Sequence, residues 1–341
     1  MKKNKPEITL ALQGGGSHGA FTWGVLEKLF EEDLFNITGI CGTSAGAINA
    51  SIAVSGYLKN GKQGTVDLLK EFWERLSTES AFSVFQPSFF DKMISAGNME
   101  FSLGYNIFNF LSNFWSPYQW NLFDINPLKD ILLDMIDFKE LQKSKIKLYT
   151  CATNVKTGQS KVFNLEHMSV DAVLASACLP QIFKAVKVDK EYYWDGGYMG
   201  NPPLYPLIKG THTNDILLIQ INPCKIKKVP ERSDEILTRV NEISFNSSLM
   251  AELRLIEFKN KLVAKGYTMD GELRKIHYHV IDAGLEEFDV SSKSNVSREF
   301  IELLRQRGRE SATQWLKNCY NTIGNKTSAD FSTELKHELI G

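Results

Sequence analysis

The sequence predicts an α/β fold in which a mostly parallel central sheet is flanked by helices, with an aromatic-rich insertion and a C-terminal helical extension. Two observations carry that expectation. Short apolar runs stop repeatedly at glycine-rich or polar turns, and stretches that suit helices follow the first two of them. The composition of the 341 residues, 43 % hydrophobic and 23 % charged, is that of an ordinary globular chain and excludes collagen-like, disordered and disulfide-scaffold classes.

Residues 8–12 form a first apolar run that ends at Gly14-Gly15-Gly16, and Phe21, Val25, Leu26, Leu29 and Phe30 then recur at helical spacing. Residues 37–41 are a second strand candidate, ending in the turn Gly42-Thr43-Ser44-Ala45-Gly46. The Ala-, Ser- and Ile-rich stretch 47–57 after it suits a helix lying close against a sheet. Further strands are expected over 147–152, 192–194, 216–221 and 276–281. Beyond Pro230 the pattern changes to long helices, the first with Ile236, Val240, Ile243 and Met250 on one face, a later one with Phe300, Leu303, Leu304 and Trp315. No proline-rich or low-complexity linker intervenes. The expected division is therefore a core over 8–210, a strand-and-helix extension of the same domain over 211–320, and a polar, flexible tail over 321–341.

Thirty-nine basic and forty acidic residues leave a net charge of -1, which provides no global field for nucleic acid. Five widely spaced cysteines without a C-x-x-C pair point away from metal sites and disulfide frameworks and toward a reduced, cytoplasmic protein. The basic start is followed by too short an apolar run for a secretory signal. The uncharged run 101–123 is long enough to span a bilayer but is interrupted by Asn106, Asn109, Asn113, Pro117, Gln119 and Asn121. Peripheral membrane contact and homo-oligomerisation stay open.

The turn 42–46 fits the strand-to-helix nucleophile elbow, in which small flanking residues permit the strained turn that presents Ser44. Its bland alternative is a glycine turn with a capping serine. Acyl transfer builds negative charge on a carbonyl oxygen, and the backbone amides of Gly14, Gly15 and Gly16, at the start of a helix, suit that charge. Gly14-x-Gly16-x-x-Gly19 also spells a dinucleotide fingerprint. The acidic residue such a site wants after the next strand is missing, since Asp33 precedes that strand. Two kinds of base are available to Ser44. His277 and His279 occupy the late position of a Ser-Asp-His order but share one face of an alternating strand, as an exposed or edge-strand pair would. Asp195, followed by Gly196-Gly197, ends an apolar run, and its carboxylate needs a partly desolvated site to act as a base.

Four motifs in order resemble the patatin-like phospholipases: Gly14-Gly15-Gly16-Ser17-His18-Gly19, Gly42-Thr43-Ser44-Ala45-Gly46, the block 175–180 ending at Pro180, and Asp195-Gly196-Gly197. The resemblance implies a three-layer α/β sandwich and a lipid or phospholipid substrate cleaved at its fatty acyl ester; no cofactor is expected, and no metal, since the sequence shows no ligand cluster for one. It further implies Ser44 as nucleophile, Asp195 as base, the amides around Gly15 and Gly16 as oxyanion hole, and a block 175–180 that shapes the site beside the dyad. Family members often carry Asp before the triple glycine and Arg two residues after it. This chain has Gln13 and His18 there, which lowers the expectation of anionic head-group binding at that turn.

The insertion 82–123 holds 13 of the chain's 38 aromatic residues, among them Phe89-Phe90, Phe108, Phe110, Phe114-Trp115, Tyr118 and Trp120. An acyl-chain funnel or a lid making transient membrane contact is one reading, and a packed cap or dimer interface the other. With no Lys or Arg over 101–123, contact with lipid there would be hydrophobic.

Overall fold

The computed structural model describes residues 5–79, 91, 97–99, 102–104, 107, 114–121, 124, 126–267, 273–329 and 331. Its sheet is built from β1 (Glu7–Leu12), β2 (Asn36–Thr43), β3 (Lys147–Asn154), β4 (Ser160–Phe163), β5 (Val186–Val188), β6 (Glu191–Asp195), β7 (Asp215–Gln220) and β8 (His277–Asp282). The order is β5-β6-β3-β2-β1-β7-β8, with β4 also paired to β3. From β3 across to β8 all neighbours are parallel, while β4, β5 and β6 pair antiparallel. A parallel strand buried on both faces needs an unbroken apolar run. Residues 8–12 of β1 and all of β7 are accordingly buried.

The helices described over their whole length are α1 (Gly19–Glu32), α2 (Ala45–Glu79), α3 (Pro117–Trp120), α4 (Pro127–Met135), α5 (Phe138–Leu141), α6 (Val170–Ser176), α7 (Tyr205–Gly210), α8 (Ser233–Ala264) and α9 (Arg298–Cys319). The helix expected over 47–57 is the first arm of α2, whose backbone breaks at Asn60 and Gly61. The second arm folds back on the first: a Cβ on Gly56 would lie 2.3 Å from the Gly64 carbonyl oxygen, and Thr65 Oγ1 donates to Ala53 O at 2.9 Å.

Helix α9 lies along α1 at glycine-to-backbone distance. A Cβ on Gly24 would sit 1.9 Å from Arg305 O, and one on Gly308 would sit 2.1 Å from Phe21 O. Arg305 clamps Glu27 with two bonds of 2.7 Å, and Arg309 grips Glu31. Phe300, Ile301, Leu304 and Trp315 of α9 thereby join Leu10, Phe21 and Leu26 in one buried cluster.

Three expectations need correction. On α8, Ile236, Val240 and Ile243 are exposed and Met250 only half-buried, whereas Glu242, Phe245, Asn246, Leu249, Leu253 and Ile256 face inward. Periodicity identifies a face but not which face is covered. Here the covered face is a second apolar stripe on which Glu242 and Asn246 also find fixed partners. His277 and His279 do lie in β8, at the end of the strand order, but both are buried. The described part of the tail is not loose: Ile323 and Phe331 are buried, and Gly324 N donates to Asp215 Oδ1 at 2.9 Å.

Most of the aromatic insertion, including Phe89, Phe90, Phe108 and Phe110, lies outside the described residues. Phe114, Trp115, Tyr118 and Trp120 are exposed, and the Tyr118 hydroxyl accepts a bond from Ala185 N at 3.2 Å. Among the described residues no helix is long and apolar enough to cross a membrane.

Candidate active site

Strand β2 runs through Thr43 and helix α2 begins at Ala45, so Ser44 takes the whole reversal of direction. It does so at φ 55°, in the left-handed region that costs a non-glycine residue about 1 kcal/mol or more. The flanking glycines are required by space. A Cβ on Gly42 would lie 2.3 Å from Gly46 O, and one on Gly46 would lie 2.2 Å from Leu12 O. Ser44 N donates to the Ser176 hydroxyl at 3.0 Å, so the block 175–180 holds the elbow. The same block holds Asp195, whose amide donates to Cys178 O at 2.7 Å; Pro180 is half-buried two residues further on.

Asp195 ends β6 and is fully buried. Its Oδ1 accepts from Gly197 N at 2.7 Å, while Oδ2 is buried with no hydrogen-bond partner. Burial is the dominant influence and pushes its pKa up to about 6, opposed by the Gly197 bond and by the Ser44 hydroxyl. Ser44 is thus near enough to favour the carboxylate's charge, but no bond of standard geometry joins the two. A Cβ on Gly196 would lie 2.0 Å from Cys151 O, and one on Gly197 would lie 2.2 Å from the Phe245 ring, so both glycines are fixed by close approach.

The glycine turn faces the elbow. A Cβ on Gly14 would be 2.6 Å from Ser44 Cβ, and one on Gly19 would be 2.8 Å from Ala45 Cβ. Gly14 N donates to Asn201 Oδ1 at 2.7 Å, and Gly14 O accepts from Asn222 Nδ2 at 2.9 Å. Neither the Gly15 nor the Gly16 amide has an acceptor among the described residues. Gly16, at φ 59°, opens a 3-10 turn that leads directly into α1. His18 is buried and its pKa is depressed to about 3, first by burial and then by Lys293, so it is neutral. Gln13 is also buried: its Oε1 accepts from Ile221 N and Asn222 N, and its Nε2 donates to Asn246 Oδ1 at 2.9 Å.

The two late histidines gather elsewhere. His279 Nε2 is 3.0 Å and His277 Nδ1 3.4 Å from Asp215 Oδ1, and His279 Nδ1 bonds Ser328 Oγ at 2.8 Å. His279 pairs with Leu217 and sits near the level of Leu10 and Ile40, whereas Ser44 follows the far end of β2. Three strand spacings and several residues of rise separate them from Ser44 by about 20 Å. Burial lowers the pKa of His277.

Sequence reasoning missed Ser176, Asn201, Asn222 and Lys293. Ser176 lies inside a recognised block and Asn201 follows shortly after Asp195-Gly196-Gly197, so proximity could have suggested both. Asn222 and Lys293 carry no local signal.

A family model described as Patatin-like phospholipase matches residues 10–208. Among solved structures, the chain is similar to VipD from Legionella pneumophila at 15 % identity and a TM-score of 0.43, over 92 % of this chain and 67 % of that one. It is similar to the type III effector protein ExoU at 14 % identity and a TM-score of 0.39, over 92 % of this chain and 53 % of that one. The heterodimeric complex of ExoU with SpcU from the type III secretion system of Pseudomonas aeruginosa gives 16 % identity and a TM-score of 0.39, over 92 % and 52 %. The chain thus spans about half the length of the ExoU chains. No curated protein matches it. With more than half of its residues matched by the family model, around the elbow and the glycine turn described above, the chain belongs to the patatin-like phospholipase family.

Proposed function

We propose that this chain is a Ser-Asp dyad lipid acyl hydrolase of phospholipase A or lysophospholipase type, acting through an acyl-enzyme on Ser44. Family membership supports the class, the hydrolysis of lipid acyl esters. The observation that carries the dyad is the Asp195 carboxylate, fully buried, with its Oδ2 unpartnered and its charge favoured by the Ser44 hydroxyl.

Ionised Asp195 takes the Ser44 proton as Oγ attacks the acyl carbonyl. The oxyanion is received by the Gly15 and Gly16 amides at the positive end of α1. Gly14 contributes by letting the turn approach Ser44, because its own amide is already bonded to Asn201. The protonated aspartic acid then returns the proton to the leaving alcohol. In the second half, Asp195 takes a proton from water, hydroxide attacks the acyl-enzyme, and the fatty acid leaves as Ser44 is reprotonated. No cofactor enters this scheme.

Fluorophosphonate labelling together with p-nitrophenyl ester hydrolysis tests the proposal. Ser44→Ala is expected to lose both the adduct and turnover. Asp195→Asn is expected to lose about a hundredfold to ten-thousandfold in kcat. A double His277→Gln, His279→Gln variant is expected to retain turnover. A dead histidine variant beside an active Asp195→Asn would replace the dyad with a triad. A folded wild type that forms no Ser44 adduct would point to a phosphate- or lipid-binding module.

A further inference from the structure

The glycine turn is gripped from both sides by a segment outside the family-matched residues. The 3-10 turn Val290–Ser294 carries Ser292 and Lys293. On one side, Ser17 Oγ donates to Ser292 O at 2.8 Å, and His18 Nε2 lies 2.7 Å from Ser292 Oγ. Because Ser292 Oγ donates its own proton to Asp289 O at 2.6 Å, His18 must be the donor in that contact, which sets its neutral tautomer with the proton on Nε2. The backbone closes the same side: a Cβ on Gly16 would sit 2.3 Å from Lys293 O.

On the other side, Lys293 Nζ donates to Asn222 Oδ1 at 2.8 Å and to Asn241 Oδ1 at 3.4 Å. An amide whose oxygen accepts from Lys293 Nζ turns its NH2 to the other branch of the planar group, away from the amine. Asn222 Nδ2 accordingly donates to Gly14 O at 2.9 Å and to Gln13 Oε1 at 3.2 Å. In a trans peptide the carbonyl and the following N–H point opposite ways. Anchoring Gly14 O on Asn222 therefore turns the Gly15 N–H away from Asn222, across the turn that packs on Ser44 Cβ.

We infer that Lys293 is a positioning residue of the acyl-transfer site, setting Asn222 so that the Gly14–Gly15 peptide aims its N–H at the oxyanion, with Ser292 holding the other end of the turn. This role rests on the hydrolase reading above. It gives the C-terminal part of the chain a share in the site: β1 supplies the turn, and a residue some 280 positions later sets its orientation. Burial lowers the Lys293 pKa to about 8 against the opposing pull of Glu242, so the amine is mostly charged at pH 7 beside a neutral His18.

Two measurements on the full chain test the assignment. In hydrogen exchange followed by mass spectrometry, Lys293→Met is expected to speed exchange over residues 14–18 by about tenfold. In p-nitrophenyl butyrate hydrolysis, the same variant is expected to lose about tenfold to a hundredfold in kcat per fluorophosphonate-titrated site, with KM within about twofold of wild type. Lys293→Arg should recover most of that loss. Asn222→Asp, which cannot donate to Gly14 O, should reproduce it, and the two defects combined should be no worse than the larger alone. Unchanged exchange in Lys293→Met overturns the clamp whether or not the chain hydrolyses esters. Faster exchange with unaltered kcat overturns its catalytic consequence. Faster exchange in a chain whose wild type neither labels nor turns over upholds the clamp and defeats the hydrolase reading.

Discussion

At the scale of single residues, Asp195 stands against stability. An ordinary aspartate titrates at 3.8, and this one at about 6 because its carboxylate is buried with one bond where water would supply several. At about 1.4 kcal/mol per pH unit, the charged form destabilises the fold by about 3 kcal/mol. A carboxyl raised in the folded state contributes stability that is complete below the unfolded value and is lost as pH rises through the folded one. Asp195→Asn should therefore be more stable than wild type in urea melts at pH 8, by up to about 3 kcal/mol, with the advantage fading as pH falls from 6 toward 4. The proposed base must also be ionised to act, so kcat/KM of the wild type should fall tenfold per pH unit below about pH 6. A profile flat down to pH 4.5 would remove Asp195 from that role. Ser44 was legible in the sequence because the small residues that its strained turn demands are adjacent to it. Asn201 and Asn222 were not, since an asparagine signals nothing until folding brings it 187 or 208 residues along the chain to Gly14.

At the scale of elements, β1 and β7 are legible in the sequence because burial on both faces leaves each of them an apolar run. The short antiparallel strands β4 and β5 escaped notice. Their residues are largely half-exposed or exposed, so neither an apolar run nor a clean alternation marks them. Helix α8 shows the converse failure. A different stripe, Phe245, Leu249, Leu253 and Ile256, is buried, and beside it Glu242 pairs with Arg239 while Asn246 bonds Gln13 and the Asn222 and Pro223 carbonyls, so this face and not the Ile236 stripe is covered. The contact between α1 and α9 offers a direct test. A methyl group at Gly308 must displace the Phe21 carbonyl, so Gly308→Ala is expected to cost about 1 to 3 kcal/mol in urea melts, more than its gain in helix propensity returns. A neutral or stabilising outcome would mean that the two helices are not packed backbone to backbone.

At the scale of the whole molecule, a net charge of -1 leaves no field to gather anionic lipid. The exposed rings of Phe114, Trp115, Tyr118 and Trp120 offer apolar surface instead. We propose that contact with lipid, where it occurs, is apolar: vesicle co-sedimentation is then expected to change by less than about twofold between low and high salt, where a charge-driven contact would weaken steeply as screening sets in. A steep loss would identify local basic residues as the contact. What the sequence determined by itself is the α/β sheet, the glycine turn, the elbow at Ser44 and the Asp195-Gly196-Gly197 turn, because each rests on contiguous residues whose size or polarity suits only one local geometry. Tertiary structure decided what surrounds them. It carried His277 and His279 to Asp215 at the far end of the strands, turned the Phe245, Leu249 and Leu253 face of α8 inward together with Glu242 and Asn246, and brought Asn201, Asn222 and Lys293 to the glycine turn. The asparagine and lysine contacts are side-chain hydrogen bonds between residues far apart in the chain. Nothing in the spacing of one partner specifies the other until the sheet and helices have placed them together.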